Sequence, residues 1–356
     1  MTNILRLHVL AADYGDCLWV EYGNAASPHR ILIDAGTPGT FSRLKPILEQ
    51  VRGTTPSHEL FVITHVDEDH IGGSLKVLGD SILSAQFKQV WFNGRKHLRE
   101  TADEEDFGPV QGEKLTKLIL KSGLAWNHHF GYGPVARDSS GQPVTVDLPG
   151  GARATILTPS RTQLEKLLPV WDKAITAAGL NPEHSTVPKP PADDEESFGP
   201  INIDQLAGTN TKNDTAAANG SSIAMLLEYG GQSLLLGADA HPGDLLDGIY
   251  ALTGGDPLKV DVFKLPHHGS KANVTDDLLE AVDADVIVFS TNGQRFAHPD
   301  REAVARTIRH YSGKAKLVFN YDSSFTRIWR NTELQKQWKY TTQYGTDEDG
   351  ATIVLA

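Results

Sequence analysis

From Thr64 to Gly73 the sequence reads Thr-His-Val-Asp-Glu-Asp-His-Ile-Gly-Gly, so His65, Asp67, Asp69 and His70 bring two imidazoles and two carboxylates into one short run. Positions 65, 67 and 69 alternate, and in an extended turn their side chains can converge from one side. Imidazole nitrogen together with carboxylate oxygen suits zinc, manganese or iron better than calcium alone. Gly72 and Gly73 let the backbone turn sharply beside such a loop. The plain alternative is a solvated acidic turn with incidental histidines. The density of ligand types, after an apolar strand and before a glycine pair, favours a metal cradle.

Further along, other groups stand where strands should end. Asp34-Ala35-Gly36 follows an apolar run, and Asp34 could equally be a turn or capping residue. Asp239 closes Leu234-Leu235-Leu236-Gly237-Ala238, and Pro266-His267-His268-Gly269-Ser270 closes another strand-like run. His298 lies in Phe296-Ala297-His298-Pro299, while Lys264 and Lys271 flank the histidine pair and could add charge for an anion. The single cysteine, Cys17, excludes an internal disulfide and a cysteine-rich zinc site, and reads as a small core residue. Neither a Gly-x-Ser-x-Gly elbow nor a phosphate-binding P-loop is present.

The elements that must position these groups follow an α/β rhythm. Strands are expected over Leu5–Leu10, Cys17–Tyr22, Arg30–Asp34, Leu60–Ile63 and Phe87–Phe92, with a helix over Phe41–Val51 whose first turn holds Pro46. A helix through Lys114–Leu120 precedes strands near Val144–Val146 and Ala152–Leu157. Arg161–Ala178 reads as a helix that Pro169 kinks or splits. Residues 181–219, with Pro188, Pro190 and Pro191 and the acidic run Asp193-Asp194-Glu195-Glu196, read as a polar surface insertion, partly mobile. Gly230-Gly231 between two apolar runs is a hairpin signal. Strands over 260–265 and 286–290 alternate with helices over 244–252, 276–282 and 300–311, and β-rich segments close the chain.

Composition bounds the function classes. The 356 residues are 39% hydrophobic and 22% charged, enough for one large layered domain. The start has no secretory pattern, and no apolar run approaches the roughly 20 residues of a membrane span, so a soluble cytoplasmic protein without membrane contact is expected. A net charge of -12 disfavours tight non-specific binding to nucleic acid, although bound metal ions would supply local positive charge.

The run from His65 to His70 resembles the His-x-His-x-Asp-His signature of the metallo-β-lactamase superfamily, with Asp67 where the second histidine normally stands. That variant, together with His267-His268-Gly269-Ser270, is similar to the ComEC-type branch, the hydrolase domain of a DNA-uptake channel, and to phosphorylcholine esterases. The resemblance implies a four-layer αββα sandwich, one domain over 1–356 with an inserted helix and polar loop at about 159–219. It implies metal ligation by His65, Asp67, Asp69, His70, Asp239 and His298, with Asp34 supporting the metal loop from behind. Two divalent ions, zinc or manganese, would share Asp239 and make water nucleophilic near neutral pH. Asp69 would orient that water, and His267 or His268 would bind metal, hold substrate phosphate or protonate the leaving oxygen. Where many members carry a further histidine this chain has Asn219, leaving Asn219 with water, or a remote imidazole such as His128, His129 or His184, to fill one metal position.

The expected function is therefore a metal-dependent phosphodiesterase or nuclease acting on nucleic acid or a nucleotide. A hydrolase of a small carbon ester, lactone or amide is the second reading. A non-catalytic partner subunit, docking a protein through residues 181–219, is the third, and the retained ligands argue against it.

Overall fold

The computed structural model describes residues 3–51, 57–98, 110–178 and 201–355. Two sheets carry the molecule. The first contains β1 (Asn3–Val9), β2 (Leu18–Asn24), β3 (His29–Ile33), β4 (Leu60–Val62), β5 (Gln89–Trp91) and β6 (Ala125–Trp126). The second contains β7 (Val144–Asp147), β8 (Arg153–Ile156), β9 (Met225–Tyr229), β10 (Gln232–Leu236), β11 (Leu258–Lys264), β12 (Val282–Phe289), β13 (Lys316–Phe319) and β14 (Thr341–Tyr344). A final strand, β15 (Ala351–Leu355), returns to pair antiparallel with β1, so the orders are β15-β1-β2-β3-β4-β5-β6 and β14-β13-β12-β11-β10-β9-β8-β7.

Side-chain alternation sorts each strand between two cores. In β10, Leu234 and Leu236 join Leu7, Val20, Ile33 and Val62 of the first sheet in a core between the sheets. Leu235 points the other way, packing with Phe263 and Ile287 against Leu245, Ile249, Val304 and Ile308 of covering helices. On the far side, Leu32, Phe61 and Ile63 pack against Leu44, Leu48, Ile71 and Leu115 of a second helical layer. Sheets covered on both faces require apolar residues on both, which is why these strands read as near-continuous hydrophobic runs. The result is four layers, αββα.

Parallel pairing fixes where loops emerge. β3 with β4, and β10 with β11 and β12, are parallel. Their carboxyl ends release the loops holding Asp34, His65–His70, Asp239, His267-His268 and His298 along one edge of the sandwich, the usual location of sites in α/β sheets. The hairpin between β9 and β10 forms as expected, both glycines having positive φ (62° and 84°).

Several expectations change. The first helix spans Phe41–Gln50, so Pro46 lies inside it rather than in its first turn. Arg161–Ala178 is one helix with Pro169 within it. Helices over Ser324–Arg327 and Thr332–Trp338 interrupt the expected β-rich end. The Asp193–Glu196 run lies outside the described residues. The described remainder of the expected insertion is packed: Ile203 and Ala207 join the outer core, and Asn219 and Gly220 are buried. Arg306, itself buried, clamps it, donating to the carbonyls of Ala207 (3.4 Å), Thr209 (2.6 Å), Lys271 (2.9 Å) and Val274 (3.0 Å).

Candidate metal centre

Asp34, at φ 55°, directs its carboxylate under the ligand loop. It accepts from the Thr64 amide (2.8 Å), the Thr64 hydroxyl (2.7 Å) and His70 Nδ1 (2.8 Å). The Thr64 hydroxyl, committed as a donor to Asp34, accepts from His65 Nδ1 at 3.0 Å. This network assigns the proton to Nδ1 in both imidazoles and turns both Nε2 lone pairs inward. Helix Glu68–Gly79 begins within the run, and glycine permits its close seating: a Cβ on Gly73 would lie 2.0 Å from the Ala35 carbonyl oxygen.

The other half of the site arrives from separate strand ends in left-handed backbone. Ala238, His267 and His268 have φ of 45°, 48° and 55°. Such conformations in non-glycine residues cost energy and cluster where function demands a particular aim. His268 Nδ1 donates to the Ser290 carbonyl at 2.9 Å. His267 Nδ1 donates to Asn273 Oδ1 at 2.9 Å, with Asp214 Oδ2 at 3.4 Å. Both again present Nε2 to the centre.

Asp239 is the hub. Its carboxylate oxygens lie 3.4 Å from His70 Nε2, 3.6 Å from His268 Nε2, 3.8 Å from His267 Nε2 and 3.9 Å from His65 Nε2. His268 Nε2 is also 3.4 Å from Asp69 Oδ2 and 3.3 Å from His70 Nε2. Ligands bound tetrahedrally at about 2.0–2.1 Å sit about 3.3–3.4 Å apart, so the tighter of these edges have metal-site spacing. Two inward lone pairs at 3.3 Å need a proton or cation between them. His65 Nε2 and Asp239 Oδ1 are moreover buried without a hydrogen-bond partner. The donor set therefore fits a divalent ion.

Electrostatics agree. Burial would lower the His268 pKa, but Asp239 and Asp16 overcome it and push it up to about 10. His70 is likewise held well above the imidazole range by Asp239 and Asp34 despite burial. Asp239 and Asp69 are held low by the surrounding imidazoles, against burial, which would raise them. Without metal, the cluster holds protons.

Of the residues expected from sequence, His65, Asp69, His70, Asp239, His267 and His268 converge. Asp67 stands at the rim, its side chain 44% exposed and 3.6 Å from His65 Nε2. His298 lies beside the hub: its ring is 5.5 Å from that of His267, and its buried Nδ1 faces Asp300 at 3.5 Å without a hydrogen bond. Burial lowers its pKa, so it is neutral near pH 7. Asn219 is buried and donates to Asp214 at 2.7 Å. His128 and His129 pack with Tyr132 and Trp91 instead of joining the cluster, and His184 lies outside the described residues. Lys264 is buried against Asp16, and Lys271 is paired with Glu302 at 2.9 Å, so both are committed to carboxylates. Cys17 is buried, as its reading as a core residue required.

Two contributors carried no sequence signal. Asp16 belongs to a group with His70, Asp239 and His268 whose ligand atoms lie within 4.8 Å of one another. Its charge is met by Lys264, and it faces Nδ1 of His268 at 3.4 Å, the side away from the hub, so it supports that imidazole. Asp214 came from the stretch read as polar surface.

Layers and strand-end ligands together define the class: a metallo-β-lactamase fold with a buried His/Asp cluster that could hold metal. No family model matches the chain. It is 28% identical over 99 residues to ComE operon protein 3 of Bacillus subtilis, covering 27% of this chain and 12% of that protein. It is 37% identical over 87 residues to Recombination protein 2 of Haemophilus influenzae, covering 24% of this chain and 10% of that protein. The chain thus matches only about a tenth of the length of these curated relatives. Among solved structures it is similar to zinc-bound PqqB from Methylobacterium extorquens (TM-score 0.44, 12% identity, 98% of this chain and 99% of that one). It is also similar to the metallo-beta-lactamase fold protein YhfI from Bacillus subtilis (TM-score 0.43, 10% identity, 99% and 100% covered). No helix among the described residues is long and apolar enough to cross a membrane.

Proposed function

We propose that the chain is a metal-dependent hydrolase of phosphodiesters, with a nucleic acid or nucleotide as substrate. The observation that carries the hydrolase reading is the convergence of four Nε2 atoms on the Asp239 carboxylate. Bound there, divalent ions, zinc or manganese, supply a water of near-neutral pKa and neutralise charge on the oxygens of the attacked group.

The chain's own residues do the rest. His65, His70, His267, His268 and Asp239 would hold the ions. Asp69, its Oδ2 against His268, is placed to orient the attacking water and receive its proton. His298, its ring 5.5 Å from that of His267, is near enough to the hub to be a contact for the departing oxygen. Arg295, bonded to the Tyr14 hydroxyl (2.6 Å) and to Glu68 (3.3 Å), places a guanidinium beside the ligand loop. Asp67 in place of histidine and the His-His-Gly-Ser run support an anionic ester over a lactam.

The test is hydrolysis of bis-p-nitrophenyl phosphate with zinc or manganese against a chromogenic lactam, with Asp69→Ala as control. Turnover of the phosphodiester that disappears in the variant is expected. Turnover of the lactam alone, or undiminished activity in the variant, would overturn the reading.

A further inference from the structure

The rim of the centre carries an aromatic shelf that the hydrolytic chemistry does not use. Phe296 is exposed (43%), and its ring lies 6.1 Å from that of His298, which is in turn 5.5 Å from the His267 ring. Tyr14 meets Phe296 edge to face, with ring centres 5.8 Å apart and planes at 89°. The Arg295 guanidinium sits 4.8 Å from the centre of the Tyr14 ring and 5.1 Å from that of Phe296. Its hydrogen bonds go to Glu68 (3.3 Å) and the Tyr14 hydroxyl (2.6 Å). What the shelf leaves open is therefore ring surface rather than charge. Glu68 directly precedes Asp69, so Arg295 also ties the shelf to the ligand loop. The loop bearing Phe296 is fixed too. The Asn292 amide donates to the Asp13 carbonyl (2.8 Å), the Gln294 amide to Asn292 Oδ1 (2.9 Å) and the Ala297 amide to the Gly293 carbonyl (2.9 Å).

We infer that Phe296 is a stacking platform for the planar base of a nucleoside whose phosphate sits at the metal centre. The inference deepens the phosphodiester reading and rests on it for the place of the phosphate. A nucleoside phosphate carries an anionic part and an apolar, planar part, joined by the sugar. The metal-loaded hub takes the first and the exposed ring the second, with His298 between them. Scattered exposed apolar side chains are ordinary on a surface. This one is distinguished by its fixed neighbours and by its place at the rim. A ring held in advance by Tyr14 and Arg295 loses little freedom when a base stacks on it, so more of the contact appears as affinity. Net charge points the same way. At -12 the surface gains little from phosphates away from the metals, so affinity for a nucleotide needs an uncharged source. Every base has a π-face, so the contact is tolerant of base identity.

The experiment is calorimetric titration of the zinc-loaded full chain with adenosine 5′-monophosphate and with ribose 5-phosphate, which lacks only the base. Wild type is expected to bind the nucleotide about 5–150-fold more tightly, the range that one stacked base gives. Phe296→Ala and Phe296→Leu should bring the two ligands to nearly equal affinity, and Phe296→Trp should keep or widen the difference. Tetradeoxyadenylate, titrated beside them, names the occupant. Tighter binding than the mononucleotide, lost in Phe296→Ala, assigns a strand, and no gain assigns a mononucleotide. Equal affinities in wild type, no binding of the nucleotide, or a preference that survives in Phe296→Ala each overturns the inference. A preference kept by Phe296→Leu but lost in Phe296→Ala overturns stacking in favour of simple apolar contact. Nothing is turned over in these titrations, so absent phosphodiesterase activity would not alter their result. Equal affinities would in turn leave the phosphodiester reading standing.

Discussion

The two halves of the site are built by opposite means. The amino-terminal half takes its ligands from one run, His65 to His70, at the start of a helix, and a glycine pair lets that helix close on the Asp34 turn. The carboxyl-terminal half gathers Asp239, His267 and His268 from the ends of β10 and β11, using left-handed residues to aim them. One half gains precision from tight packing, the other from backbone conformations that packing must hold in place. Loss of a shared group should therefore hurt both halves, while changes at glycine and at left-handed positions should have opposite signs.

The largest effect is expected at Asp239, which faces all four imidazoles. Asp239→Asn should leave metal content, measured by elemental analysis, at background and reduce phosphodiester turnover by roughly 10³. Next is Asp34→Ala, which strips His70 and Thr64 of their common acceptor. It should weaken metal binding by about 10–100-fold and, by orphaning buried donors, cost about 3–5 kcal/mol in denaturant unfolding.

A direct test of the contrast comes third. Gly73→Ala drives a Cβ to 2.0 Å from the Ala35 oxygen and should cost about 1–3 kcal/mol. Ala238→Gly, at φ 45°, should instead gain up to about 1 kcal/mol by relieving left-handed strain. Equal signs in paired unfolding curves would break the contrast. The smallest effect is with pH. His268 is raised from 6.5 to about 10 in the folded chain, so its stabilising contribution is complete below 6.5 and fades as pH rises through about 10. Metal-free protein should lose stability over that window. Zinc binding at pH 8 should release protons, seen in weakly buffered solution, because the ion displaces those held by the cluster.

What could be read in the sequence follows the same division. The His65–His70 run is contiguous, and strands buried on both faces announce themselves by apolar runs, so the α/β rhythm and half of the cradle were legible, while the four layers followed only from the resemblance that the run carries. Asp214 and Asp16 were not, because each acts through a partner far away in sequence, His267 and His268. The stretch around Asp214 reads as polar surface because its anchors are few: Ile203, Ala207 and the carbonyls held by Arg306. Pro46 and Pro169 misled in another way, since helices supported by tertiary packing tolerate a residue that local propensity rejects.

Arg306 has a mechanical consequence. One guanidinium grips both the chain leading to Asp214 and the turn leading to Asn273, the two residues that set the His267 ring. The strands do not join those two segments, yet through this arginine they form a single jaw, and a helix on the outer layer governs the angle of an imidazole at the centre.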